Sequence, residues 1–368
     1  MKKILIINNT IFYEKNEELF LNKETGHFVI DLRDFGNSVS VFQISQPKRA
    51  RDSFANFSLS NKDISIYEVK RKGSRLYSFI KSFFVMQKAI LKNDFVYIYY
   101  PGPICLVVAL SCMIYKKPFG LYIRGEQGID SMLSLKIIKR AMFIFTISPK
   151  FTENISFNNK DVNTIRPMIS FNEGDVLKER ILDFGKRVNI LYVGRLVFDK
   201  GLFELIDAVK ILKINNHNIH LNLVGDGIDK DKLQSKVKEE DLLNEVSFLG
   251  MISDKQELIN IYRCNEVFVL PTYHEGFPRV LYEAMMMNIP IITTFVGTIN
   301  YLMENERNCL ELKVKDIGSI VTAVERLIKD PNLGQKFADQ GRLTVMNYLG
   351  NKKVKHSELV NHLIQNNI

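Results

Sequence analysis

Short apolar runs rich in β-branched and aromatic residues punctuate the first half of the chain. They read KILIIN from Lys3, VSVFQIS from Val39, DISIYEV from Asp63, FVYIYY from Phe95, FGLYIR from Phe119 and FIFTIS from Phe143. Helical spacing falls near 74–92, 103–116 and 131–141, between the later runs. Strand and helix in alternation predict a mostly parallel sheet covered on both faces. Around 167–186 the pattern lapses into PMISFNEGDVLKERILDFGK, broken by Pro167, Gly174 and Gly185, and then resumes with VNILYVG, NIHLNLVG, EVSFLG, EVFVLP and PIITT. Further helices are predicted near 317–329, 333–349 and 352–366. The expected organisation is an α/β domain over 1–166, a linker over 167–187, a second doubly wound domain over 188–350 and a final helix in 351–368. In open sheets of this kind ligands bind beyond the carboxyl ends of the strands, so the residues after each apolar run are the ones to read for chemistry.

With 46% hydrophobic and 25% charged residues in 368, the composition is that of a globular protein. The start, MKKILIINNT, reads as a first strand rather than a secretory signal, and the longest apolar stretch, Ile104 to Tyr115, is too short to span a bilayer. Four cysteines without a CxxC pair predict reduced core thiols and a cytoplasmic location. The net charge of +9 is uneven: residues 1–166 carry 25 Lys and Arg against 14 Asp and Glu, the remainder 25 against 27. A basic N-terminal domain suits an anionic partner, and charge alone does not choose among nucleic acid, lipid and phosphorylated acceptor.

Two loops carry candidate chemistry. In YVGRLVFDKG, Arg195 and Lys200 sit between a strand and a helix beginning near Gly201, where two cations and backbone N–H groups suit a diphosphate; taken singly, each is an ordinary surface cation. In LPTYHEGFPRVLYEA, Glu275 lies in a loop, Pro278 opens a helix, and Glu283 follows about a turn and a half in. Carboxylates so separated can accept from the hydroxyls of both rings of a nucleotide sugar; the plainer reading is an acid at the helix dipole and a solvated Glu. Asp229-Lys230-Asp231 matches the metal-binding DxD pattern, but it follows LVGDG and opens a helix, so it is read as structural. The six histidines lack ligand spacing, and no Walker A loop, nucleophile elbow or GxGxxG follows the first strand.

The ordered set GRL…KG, LVGDG, VSFLG, LPTYHEGFPRVLYEA and PIITTFVGT resembles the donor domain of the GT-B retaining glycosyltransferases of family 4. The resemblance implies two Rossmann-like domains facing across a cleft, with the final helix packing back on the N-terminal one. It also implies transfer of a sugar from a UDP- or GDP-linked donor to a glycan or lipid-linked acceptor, without a metal or other cofactor, in bacterial polysaccharide or lipopolysaccharide biosynthesis. Arg195, Lys200 and Glu275 would be catalytic, the first two holding the diphosphate and Glu275 the sugar; Glu283 would bind the ribose. Gly225 and Gly227 would leave room for the nucleotide, the backbone from Phe248 to Met251 would touch the base, and Gly276, Phe277, Pro278, Val280 and Leu281 would complete the donor site. Where relatives carry His-Gly in the N-terminal domain this chain has Arg124-Gly125, a pair suited to an acceptor or phosphate, and no Gly-Gly loop follows the first strand. A GT-B epimerase or phosphorylase, and an inactive sugar-nucleotide-binding partner, share the pattern. The segment from Arg71 to Lys92 mixes basic and aromatic residues as an interfacial helix does, and points to a peripheral position on an anionic inner membrane face.

Overall fold

In a computed structural model of the chain, residues 1–8, 12–48, 55, 57–60, 62–71, 75–125, 128–147, 149–159, 161–165, 169, 171–185, 187–276, 278–350 and 355–368 are described. Two compact units emerge, Met1–Met168 with Val354–Ile368, and Ile169–Lys353.

The N-terminal unit is built on strands β1 (Lys3–Ile7), β2 (Phe12–Lys15), β3 (Glu18–Leu21), β4 (Ser38–Pro47), β5 (Phe57–Ser58), β6 (Ser65–Lys70), β7 (Phe95–Tyr100), β8 (Phe119–Ile123), β9 (Ile144–Thr146) and β10 (Val162–Thr164). Its helices are α1 (Lys23–Asp34), α2 (Arg75–Lys92), α3 (Pro103–Ile114), α4 (Met132–Arg140) and α5 (Pro149–Ser156). The parallel core runs β10-β9-β8-β7-β1-β4, with β6 on the far side of β4. Every residue of β7, FVYIYY, is buried, as a strand covered on both faces requires. The polar stretch after β1 holds a hairpin that the sequence pattern missed. Asn16 and Glu17, both at positive φ, turn β2 into antiparallel β3, and strands of four residues are too short to show a period.

A second sheet forms the C-terminal unit. That unit has strands β11 (Val188–Val193), β12 (Ile219–Val224), β13 (Val246–Gly250), β14 (Val267–Leu270), β15 (Ile291–Thr294) and β16 (Leu310–Leu312). Helices α6 (Leu202–Ile214), α7 (Lys230–Glu239), α8 (Lys255–Arg263), α9 (Arg279–Met286), α10 (Ile317–Lys329) and α11 (Pro331–Gly350) accompany them. All pairs are parallel in the order β13-β12-β11-β14-β15-β16, the doubly wound arrangement whose direction of winding reverses between β11 and β14. The stretch predicted as a linker packs on this unit where it is described: Phe171, Leu182 and Phe184 are buried in its core, and the Leu177 N–H donates to Met286 O at 2.9 Å. Pro167 lies outside the described residues. Cys105, Cys112 and Cys309 are buried, whereas Cys264 is exposed because it ends α8 at the surface.

Helix α12 (His356–Asn367) belongs to the N-terminal unit and packs on α1. Ser357 Oγ donates to Asp31 at 2.9 Å and Asn37 Nδ2 to Asn361 at 2.8 Å. Its first residue, His356, is enclosed by Phe28, Tyr97, Tyr122 and Phe145, with Nε2 at 2.6 Å from the Tyr97 hydroxyl. Burial, reinforced by the Arg124 guanidinium, pushes the imidazole pKa down to about 3.

A histidine held neutral in the folded state stabilises fully above about pH 6.5 and loses that contribution as pH falls toward 3, because only the unfolded chain takes up the proton. At pH 5 the loss is about 2 kcal/mol. The His356→Gln variant keeps a hydrogen-bonding side chain that does not titrate. Its urea midpoint should therefore fall less between pH 7 and pH 5 than that of the wild type; parallel decreases would remove His356 as the cause.

Candidate active site

The reversal between β11 and β14 leaves a crevice at their carboxyl ends, and the two loops singled out in the sequence leave the sheet there. After β11 the chain makes a 3-10 turn, Phe198–Lys200, then Gly201 at φ +68°, and enters α6. Glycine is required at 201: a Cβ there would meet Pro271 O at 2.1 Å. The two loops therefore touch through backbone.

Lys200 is buried, and its ammonium donates to Glu275 Oε2 at 2.7 Å, to His274 O at 3.2 Å and to Thr272 Oγ1 at 3.3 Å. Its three N–H groups each have an acceptor, so the ion is oriented as well as neutralised. The loop after β14 is fixed in turn: Thr272 within it is fully buried, Thr294 Oγ1 donates to Thr272 O at 2.6 Å, and Thr298 Oγ1 donates to Gly276 O at 2.7 Å. Arg195 stands exposed on the other loop, its carbonyl held by the Tyr192 hydroxyl at 2.8 Å. Burial, then the negative charge of Glu275, pushes the Tyr192 phenol pKa well up, while Arg195 opposes the shift; these side chains therefore share one electrostatic neighbourhood.

Glu283 is buried on α9, the helix capped by Pro278. The Tyr262 hydroxyl, at the end of α8, donates to Glu283 Oε2 at 3.1 Å, and burial followed by the Glu283 charge keeps that phenol protonated. Arg180 fastens both helices from below: its guanidinium donates to Tyr262 O at 3.1 Å and to Asn265 O, with Met287 O at 3.5 Å. Neither Tyr262 nor Arg180 was legible as part of the site. Tyr262 has the spacing of an ordinary core position, and Arg180 lies in the stretch that reads as a linker.

The other expected residues divide. Val280 is half-buried at the start of α9, but Leu281 is fully buried in the core and its amide donates to Pro278 O at 3.0 Å, so its side chain cannot meet a ligand. Phe248 is half-buried on β13 and Met251 is exposed just beyond it. Phe277 lies outside the described residues. Arg124 and Gly125 belong to the N-terminal unit, the guanidinium over the rings of Tyr99 and Tyr122 at 5.1 and 5.5 Å. Gly225 and Gly227 make room for protein rather than open space: a Cβ at Gly225 would stand 1.8 Å from Gly194 O, and one at Gly227 2.1 Å from Leu196 O. Asp229 braces the same turn, accepting from Phe198 N at 2.9 Å and from Lys232 at 3.0 Å. Among the described residues no cluster of three or more His, Cys, Asp or Glu side chains could hold a metal.

Residues 175–344 match the family model described as glycosyl transferases group 1. The C-terminal unit belongs to that family. This group 1 unit includes Arg195, Lys200, Glu275 and Glu283. The chain is 33% identical over 159 residues to the capsular polysaccharide biosynthesis glycosyltransferase CapM of Staphylococcus aureus, which covers 42% of this chain and 40% of CapM. It is 30% identical over 177 residues to an Escherichia coli UDP-Gal:alpha-D-GlcNAc-diphosphoundecaprenol alpha-1,3-galactosyltransferase, covering 47% and 44%. The match thus spans less than half the length of either relative. Over its whole length the chain is similar in fold to Anabaena HepE in complex with UDP and glucose, with a TM-score of 0.67, 16% identity and coverage of 100% and 99%. The fold is GT-B.

The glycine contacts in the group 1 unit make a prediction about stability. Gly225→Ala must relieve both a positive φ of 135° and the contact with Gly194 O, whereas Gly250→Ala, at φ +72° with nothing within 4 Å, meets only the backbone penalty of about 1–2 kcal/mol. Chemical unfolding should show Gly225→Ala as the more destabilised of the two. Equal losses would mean that the loops separate at little cost.

Proposed function

We propose that the chain is a retaining, metal-independent glycosyltransferase that moves a sugar from a UDP- or GDP-linked donor to a glycan or lipid-linked acceptor in bacterial polysaccharide or lipopolysaccharide assembly. The observation that carries this reading is the pair of buried Lys200 and half-buried Glu275 at the switch point of a group 1 unit, 2.7 Å apart. The names of the relatives support it: CapM acts in capsular polysaccharide biosynthesis, and the E. coli enzyme uses a UDP-linked sugar and a diphosphoundecaprenol acceptor. HepE, of the same fold, was seen with UDP and glucose.

In this reading the donor diphosphate lies against Arg195, Lys200 and the N-terminus of α9. An arriving phosphate oxygen replaces the His274 carbonyl or the Thr272 hydroxyl, the two longer partners of Lys200, while Glu275 stays bound. Glu275 is held through Oε2, which leaves Oε1 to accept from sugar hydroxyls. Glu283, steadied by Tyr262, accepts from the ribose. As the bond from the anomeric carbon to the diphosphate breaks, negative charge grows on the leaving oxygen, and the preorganised cations stabilise it. The acceptor oxygen attacks the same face, and its proton passes to the leaving phosphate oxygen. The N-terminal unit holds the acceptor, with Arg124 available to an anionic group, and the protein works on the cytoplasmic side of the membrane.

Lys200→Ala and Glu283→Ala each remove a charge-assisted contact of about 1.5–3 kcal/mol. Donor turnover should fall about ten- to a hundredfold in each folded variant. Nucleotide release in a screen of UDP- and GDP-sugars measures it, with thermal shift reporting affinity. Undiminished turnover in both would remove the assignment, and donor affinity without turnover in the wild type would mark a binding partner.

The Asp229 carboxylate is already engaged by Phe198 and Lys232, which supports transfer without a divalent cation. Activity should survive EDTA, and Asp231→Asn should retain it. Activity that returns only when Mn²⁺ or Mg²⁺ is added back would overturn this part of the reading.

A further inference from the structure

Helix α2 is amphipathic the wrong way round for a helix that covers a sheet. Its buried face carries Ser78, Ser82, Met86, Ala89 and Ile90, while Phe84 is 68% exposed and Tyr77 63%, with Phe79, Ile80 and Phe83 about half exposed. Lys81 and Lys88 stand exposed among them, and α2 contains no acidic residue. An outward row of aromatic side chains on one helix, bordered by lysines, is the composition of a surface that meets a lipid interface.

A second observation lies at the start of the same helix. The winding of the N-terminal unit also reverses, between β1 and β7, and at that point there is a cavity of about 280 Å³. Asn8 follows β1, Gln43 lies on β4, Arg71 follows β6, Gly102 follows β7, and Ser78 and Phe79 come from α2. Arg71 has no carboxylate partner among the described residues. Ile44, Pro103, Ile104 and Cys105 make most of its lining apolar; Phe79 both lines the cavity and belongs to the exposed row, so a largely apolar pocket with one guanidinium opens onto an apolar, basic-edged helix face. Val107 is exposed on α3, which is joined to α2 by Gln87 Nε2 donating to Ser111 Oγ at 2.9 Å.

Resting on the acceptor role given above to the N-terminal unit, we propose that this cavity and the outer face of α2 together bind a phosphate ester of a long apolar chain carried in a membrane. The phosphate pairs with Arg71, and the α2 aromatics enter the lipid interface beside the chain. Charge decides for this occupant over a second copy of the protein, since two such faces would bring Lys81 and Lys88 against like charges.

The test is co-sedimentation of the full chain with three vesicle types: phosphatidylcholine alone, phosphatidylcholine with phosphatidylglycerol, and phosphatidylcholine with a small fraction of polyprenyl phosphate. Wild type should bind the anionic vesicles, favour those with polyprenyl phosphate, and bind less as salt rises. Phe83→Ser with Phe84→Ser, both surface changes, should lower binding to all vesicles at least tenfold. Arg71→Gln should bind phosphatidylglycerol vesicles much as wild type does and lose the preference for polyprenyl phosphate, and inorganic phosphate should erode that preference in the wild type. Wild-type binding by the double variant would overturn the α2 surface, and an intact preference in Arg71→Gln would overturn the cavity. Loss of a dimer in the double variant, with vesicle binding unchanged, would assign the face to self-association instead. Thermal shift with UDP and UDP-sugars reads the donor site separately, so a failed vesicle experiment leaves the transferase reading to stand or fall on its own result.

Discussion

An ammonium removed from water costs several kcal/mol unless its hydrogen-bonding capacity is met, and at Lys200 that requirement organises the C-terminal unit. Lys200 ends the turn after β11, and its acceptors come from Thr272, His274 and Glu275 in the loop after β14. The ion thus bridges the two strands between which the winding reverses. Gly201 lets the backbones meet, Gly225 and Gly227 admit the loop 194–196 from the other side, and Gly297 leaves space for Glu275 O, which a Cβ there would approach to 1.9 Å. Four glycines and one lysine set the distance between loops that carry Arg195 and Glu275. Within such a frame a carboxylate can be presented to a sugar without first being freed from a flexible chain.

Much of this architecture was legible because parallel strands buried on both faces leave long apolar runs, and strands β11, β12, β14 and β15 read directly from VNILYV, IHLNLV, VFVL and IITT. The loops after them drew attention by position, and the family match of the C-terminal unit agrees with that reading. Three features stayed hidden for physical reasons. The β2–β3 hairpin is too short for periodicity. Arg180 acts through carbonyls that no sequence pattern records, from a stretch whose Pro and Gly suggested a connector. The resemblance implies that the glycines of LVGDG leave room for a nucleotide, and no sequence pattern records that their missing Cβ atoms also let the loop 194–196 approach.

Helix α2 shows the limit of periodicity from another side. Aromatic and small polar residues both recur along it at helical spacing, so the period establishes an amphipathic helix without saying which stripe faces the sheet. Where α2 packs against β4 and β6, the narrow stripe of Ser78, Ser82, Met86 and Ala89 is the one buried. The bulkier stripe is thereby turned outward. The same sheet, where α12 covers it, accepts a full aromatic cage around His356, so the serines of α2 do not reflect a unit short of apolar residues.

The division of charge fits this division of surfaces. Residues 167–368 are close to neutral, so in the proposed function attraction of a dianionic diphosphate would depend on a few oriented groups at short range, Arg195, Lys200 and the α9 N-terminus, and not on a diffuse field. Residues 1–166 carry the whole positive excess, which acts over about a Debye length of 8–10 Å in physiological salt. A field of that reach selects no particular ligand, but in the proposed function it would concentrate an anionic surface or a phosphorylated molecule near the unit that carries Arg71 and Arg124. Orientation in one unit and accumulation in the other are different electrostatic tasks, and the chain separates them by sequence: buried, paired ions where a geometry must be held, and many exposed lysines where only proximity is needed.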